Sequence, residues 1–127
     1  MEDLIIHTSP ETPYFPKVNF IYGTGVCEII GESFMEETYK FYAPIMAWLE
    51  QYMSEKKKII FNLKLTYFNT SSSRSILDIL DLMKDYRENG GDVEVNWYYD
   101  PNDPDMEDEV EDFKIESGVD IQLKPFK

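Results

Sequence analysis

Between residues 61 and 99 the hydrophobic pattern changes period from two to about 3.6 and back to two. No other feature limits the fold of this chain so strongly. Phe61, Leu63, Leu65 and Tyr67 alternate with Asn62, Lys64 and Thr66, which predicts a strand with one apolar face. Ile76, Leu77, Ile79, Leu80, Leu82 and Met83 then recur at helical spacing, up to a stop at Asn89-Gly90-Gly91. Val93, Val95, Trp97 and Tyr99 alternate with Glu94, Asn96 and Tyr98, a second one-faced strand. Strand, helix and strand in this order predict a right-handed parallel crossover with the helix packed on the apolar face. Strands covered on both sides would read as unbroken apolar runs. The alternation therefore predicts helices mainly on one face, and a second face carrying Asn62, Lys64, Thr66, Glu94 and Asn96.

The flanking segments extend this unit. Leu4 to His7 reads as a short strand, ended by the turn-rich Ser9-Pro10-Glu11-Thr12-Pro13. Val18–Tyr22 and Val26–Ile30 surround Gly23-Thr24-Gly25 and predict a hairpin, because glycine supplies the positive φ of the turn. Ser33-Phe34-Met35-Glu36 fits a capping box at the start of a helix. Its buried stripe is expected to be Phe41, Ile45, Trp48, Leu49 and Tyr52, with Pro44 kinking or dividing it. Lys56-Lys57-Lys58 would sit at the negative end of its dipole. Asp103 and Pro104 mark another helix start. Met106, Val110 and Phe113 form its narrow stripe, Gly118 its end, and Val119–Leu123 a last strand limited by Pro125. The expected architecture is one α/β domain over residues 1–127: two layers, a mixed sheet, and the order β-β-β-α-β-α-β-α-β.

Composition narrows the function. A chain of 127 residues with 43% hydrophobic and 15% aromatic content can build its own core, with no disulfide staple. Its net charge of −13 repels phosphate backbones and anionic lipid, which argues against nucleic acid and membrane surfaces as partners. The acidic amino terminus has no signal-peptide pattern, and no stretch approaches a membrane span, so a cytoplasmic protein is expected. A nucleophile needs an activating base, usually histidine, and His7 is the sole histidine. Cys27, the sole cysteine, lies in an apolar strand and reads as a core residue. The acids between Asp105 and Asp112 fit no calcium loop, because no glycine stands at the sharp turn. They read as the solvated face of a helix. No catalytic residue, cofactor or metal is expected.

One segment carries more polar chemistry than its structural role requires. Tyr67-Phe68-Asn69-Thr70-Ser71-Ser72-Ser73-Arg74-Ser75 places four consecutive hydroxyl residues between a strand and a helix. Capping needs one or two such side chains. A helix N-terminus also tolerates an anion, through free N–H groups and the dipole. Phosphate could thus be bound or esterified here, with Arg74 and Lys64 as charge partners. Two readings follow: a phosphorylation-controlled partner-binding module, or a small phosphate- or nucleotide-binding domain using the same loop.

Asn69-Thr70-Ser71-Ser72, Ile76-Leu77-Asp78-Ile79-Leu80-Asp81 and Val95-Asn96-Trp97-Tyr98-Tyr99-Asp100 together resemble the SiaC family of bacterial regulatory phosphoproteins. Trp48-Leu49-Glu50 and Glu111-Asp112-Phe113 also fit, so the resemblance spans nearly the whole chain. It implies a STAS-like fold, akin to anti-sigma-factor antagonists, and a non-enzymatic switch. By the motif, Thr70 is the implied phosphoacceptor, with Ser71, Ser72 and Ser73 as the neighbouring hydroxyls. The implied partners are a Ser/Thr kinase, a PPM-type phosphatase and an effector, a diguanylate cyclase that the unphosphorylated form binds and activates. That links the chain to cyclic di-GMP and biofilm control.

Overall fold

In the computed structural model, which describes residues 1–126, the elements follow the expected order. They are β1 (Leu4–Ile6), β2 (Lys17–Phe20), β3 (Val26–Ser33), α1 (Thr38–Met53), β4 (Ile59–Phe68), α2 (Thr70–Glu88), β5 (Val93–Tyr99), α3 (Pro104–Ser117) and β6 (Ile121–Pro125). The strands form one sheet in the order β1-β2-β3-β4-β5-β6. The first three pair antiparallel, and β3 through β6 pair parallel. Each parallel step crosses through a helix and advances in the same direction. Crossovers of one hand that advance one way place their helices on one face.

Strand register sorts the two faces. Phe20, Cys27, Phe61, Val95 and Ile121 lie side by side across five strands, and Val18, Ile29, Leu63 and Trp97 form the next row. All are buried in a single core with Ile45 and Leu49 of α1, Ile76 and Leu80 of α2, and Val110 and Phe113 of α3. The other face carries the row Asn19, Glu28, Asn62, Asn96 and Gln122. There Lys64 pairs with Glu28 at 2.7 Å, and Asn96 Nδ2 donates to Asn62 Oδ1 and Glu94 Oε2 at 2.9 Å each. Asn96 is itself buried between these neighbours.

Several local expectations are corrected. Ser33 caps no helix: it is the last residue of β3, fully buried, and α1 starts at Thr38 with no side-chain cap bond from Glu37. Helix α1 runs undivided through Pro44, which lies on the exposed side where an unpaired carbonyl can meet water. Tyr42 is buried more deeply than Phe41. The last turn of α1 holds no basic residue: Lys56 to Lys58 follow its end, with Lys56 at a φ of 58°.

A further correction bears on the site. Tyr67 does not continue the apolar face of β4; it is 51% exposed. Gly31 pairs with Leu65 and Glu32 with Tyr67, so Thr66 is an extra residue on β4. Such a bulge reverses the side-chain alternation beyond it. Phe68 turns to the core instead, with its ring 5.8 Å from Trp97 and 5.6 Å from Phe113. The bulge thereby sets the direction in which the chain leaves β4 for α2.

Candidate functional site

The hydroxyl run opens α2, at the C-terminal ends of the parallel strands. Asn69 is held from both sides: its N–H donates to the Ser33 carbonyl at 3.0 Å and its Nδ2 to the Met35 carbonyl at 3.3 Å. Asn69 Oδ1 then caps the helix by accepting the Ser72 N–H at 2.9 Å. One asparagine therefore performs the capping that the sequence distributes among several candidates.

Helical geometry gives each of the following hydroxyls a different environment. Ser72 is fully buried, 2.7 Å from Ser33 Oγ, which lies 2.8 Å from the Tyr42 hydroxyl. Burial pushes the Tyr42 phenol up to about 12, so it remains a neutral member of this chain. Ser71 Oγ lies 2.6 Å from Thr38 Oγ1 and donates to Asn69 Oδ1 at 3.2 Å. The Thr38 hydroxyl also donates to the Met35 carbonyl. These bonds tie the N-termini of α1 and α2 to the end of β3. Ser73 is half-buried. Thr70, the first helical residue, is exposed, and its hydroxyl makes no hydrogen bond among the described residues.

Thr70 borders a shallow groove between α2 and α3. Arg74 lies on the same wall, and Glu109, Asp112 and Glu116 of α3 lie on the other. Partial burial and the nearby Asp103, Asp105 and Asp112 raise the Glu109 carboxyl above its ordinary range, the sign of crowded negative charge. Arg74 is exposed and pairs with Asp78 at 3.4 Å. Lys64 is corrected as a charge partner: it faces the open side of the sheet, held by Glu28 and lying 5.0 Å from the centre of the Tyr98 ring.

Around this end the surface carries apolar rings. Tyr39 is 81% exposed, and Tyr67 and Phe34 are in edge contact at 5.7 Å while both remain exposed. The alternation along β4 does not reveal this patch, because it places Tyr67 on the core face. A signal was present in Phe68, which follows Tyr67 with no polar residue between them. Elsewhere Cys27 is buried in the core and burial pushes its thiol up, while His7 is exposed beyond β1. Among the described residues no group of three His, Cys, Asp or Glu could hold a metal ion, and no helix is long and apolar enough to cross a membrane.

The model of the SiaC family regulatory phosphoproteins matches residues 9–126. The chain belongs to the SiaC family. A curated relative in Pseudomonas aeruginosa, an uncharacterised protein, is 29% identical over 115 residues, which cover 90% of this chain and 89% of the relative. The crystal structure of apo-SiaC from P. aeruginosa superposes with a TM-score of 0.88 at 26% identity, covering 98% of this chain and 99% of that one. A third likeness is to SiaC crystallised with diguanylate cyclase SiaD, whose activator it is in P. aeruginosa. It has a TM-score of 0.90 at 24% identity over 98% of this chain and all of that one, and this likeness is one of fold. The expected mixed sheet and element order are thus those of SiaC structures.

Proposed function

We propose that this SiaC family member is a switch with no turnover of its own, controlled by reversible phosphorylation of Thr70. A Ser/Thr kinase adds the phosphate, a PPM-type phosphatase removes it, and the unmodified form binds and activates an effector. For the effector we propose a diguanylate cyclase, by analogy with the P. aeruginosa complex of SiaC and SiaD. Cyclic di-GMP output and biofilm behaviour would follow, in the cytoplasm where these partners meet.

The observation that carries this reading is the sorting of the hydroxyls. Thr70 offers an exposed, unbonded oxygen, whereas Ser72 is sealed in the core and Ser71 is engaged with Thr38 and Asn69. In the transfer, Thr70 Oγ1 bonds to the γ-phosphorus of ATP, the bond from that phosphorus to ADP breaks, and the hydroxyl proton leaves to the kinase. The product carries about −1.5 to −2 charges at the first turn of a helix, which the dipole and Arg74 accommodate without unfolding. A partner surface fitted to a neutral hydroxyl must instead desolvate a dianion, at a cost of several kcal/mol. Micromolar binding is worth only about 8 kcal/mol in total, so this weakens it by orders of magnitude.

The nucleotide-binding reading has less support. Open α/β sheets hold such ligands where the strand order reverses, and here β3 to β6 advance in one direction. The deciding experiment incubates the chain with its host kinase and ATP and maps the phosphate by mass spectrometry. One phosphate at residue 70, lost in Thr70→Ala, is expected. Incorporation that persists in Thr70→Ala would move the acceptor to Ser71 or Ser73.

A further inference from the structure

Arg74 stands midway on one helix face between Thr70, four residues before it, and the Asp78 carboxylate, four residues after. Residues at this spacing are neighbours on a helix surface. In the unmodified protein the Arg74 Nε–H faces Asp78 Oδ1 at 3.4 Å, with both side chains largely exposed. Such a pair is weak and exchangeable. Arg74 also borders two grooves. One is the Thr70 groove against α3, where it is the one cation among the lining residues. The other runs between α1 and α2, where it stands with Asp78, Ser71 and Glu50.

We propose that Arg74 senses the modification state of Thr70 by exchanging the Asp78 carboxylate for the phosphate. This inference rests on Thr70 being the phosphoacceptor and goes further, naming the residue that transmits the change. The exchange has a clear direction. A phosphate dianion offers three acceptor oxygens and more charge than a carboxylate, and a guanidinium can bind it in bidentate fashion. Glu109, Asp112 and Glu116 face the same groove and leave the phosphate no other cation there. Lys64 is committed to Glu28 on the opposite face of the sheet. When Arg74 swings toward residue 70, Asp78 loses its partner and the α1–α2 groove loses a positive charge. One modification thereby alters the charge of two surfaces, one on each side of α2.

The test uses the full chain with phosphothreonine installed at residue 70 by genetic encoding, and follows the second phosphate ionisation by phosphorus NMR. Arg74 favours the dianion, so Arg74→Gln is expected to raise that pKa by roughly half a unit. Arg74→Lys, which keeps the charge, restores most of the difference. Asp78→Asn frees Arg74 and lowers the pKa, but has little effect in the Arg74→Gln background, the mark of coupling through Arg74. Lys64→Gln leaves the titration unchanged. The exchange is refuted if Arg74→Gln titrates like the parent, or if the Asp78→Asn effect is as large without Arg74 as with it. All of these positions are exposed or half-buried, and circular dichroism verifies the fold of each variant. Because the phosphate is installed at residue 70, the result is independent of which hydroxyl the kinase selects. Phosphate mapping on the wild-type chain answers that question separately.

Discussion

The two ends of the sheet solve opposite problems. At the end where the parallel strands begin, polar groups are paired and backbones approach closely. Gly25 has a φ of +74°, and a Cβ there would lie 2.2 Å from the Lys58 carbonyl oxygen and 2.6 Å from the Tyr52 hydroxyl. The Tyr52 and Tyr86 hydroxyls donate to the Lys58 and Lys57 carbonyls, and Tyr22 donates to Glu55 at 2.6 Å. At the other end, Tyr39, Tyr67 and Phe34 remain exposed, Thr70 is unbonded, and the α3 carboxylates crowd its groove. Only the layer beneath is tight, through Ser33, Ser72 and Tyr42. The paired end fixes the framework. The other end sets an uncommitted surface on a hydrogen-bonded floor, an arrangement that suits the proposed switch.

The largest expected effect strikes the paired end. Gly25→Ala meets both a disfavoured φ and backbone oxygen, and should destabilise the fold by about 3 kcal/mol or more in urea unfolding. A change near zero would mean that this end is as yielding as the other. Next comes Ser72→Ala, which removes a fully buried hydrogen bond from the floor of the site, at about 1–2 kcal/mol. Two residues away, Thr70→Ala should alter stability by less than about 0.5 kcal/mol while abolishing phosphate incorporation. If the two variants were equally destabilised, the contrast between floor and surface would be lost.

The smallest effects are in pH dependence, and their signs oppose. The Glu55 carboxyl is held below its ordinary range, chiefly by the Tyr22 hydroxyl and also by Lys57. It adds stability above its unfolded pKa, and this is lost as pH falls through the lowered folded value. Glu109 is raised, so its ionisation opposes folding, a penalty relieved as pH falls through its folded value. Thermal midpoints across the acid range should therefore separate Tyr22→Phe, which loses the Glu55 contribution near neutrality, from Glu109→Gln, which gains slightly there. Both variants shifting the same way would dissolve the distinction between paired and crowded charge.

Much of this molecule was legible because it depends on periodicity and local chemistry. The alternation in β4 and β5 and the helical repeat of α2 determined a strand–helix–strand unit with one covered face, since burying one face imposes those periods on any chain. Asp103, Pro104 and Gly118 marked the bounds of α3 through their own backbone preferences. The hydroxyl run marked the start of α2, while the choice of Thr70 within it came from the family resemblance and is a proposal. Local pattern could not show that Thr70 is exposed and Ser72 buried, that Ser33 belongs to β3, that Thr66 is an extra residue turning Tyr67 outward, or that Lys64 faces away. Those outcomes depend on pairings between residues distant in the chain: Ser33 with Ser72, Gly31 with Leu65, Lys64 with Glu28. Local pattern sets which face a residue prefers, but only the packed sheet and helices decide what stands opposite it, and that determines which oxygen stays free.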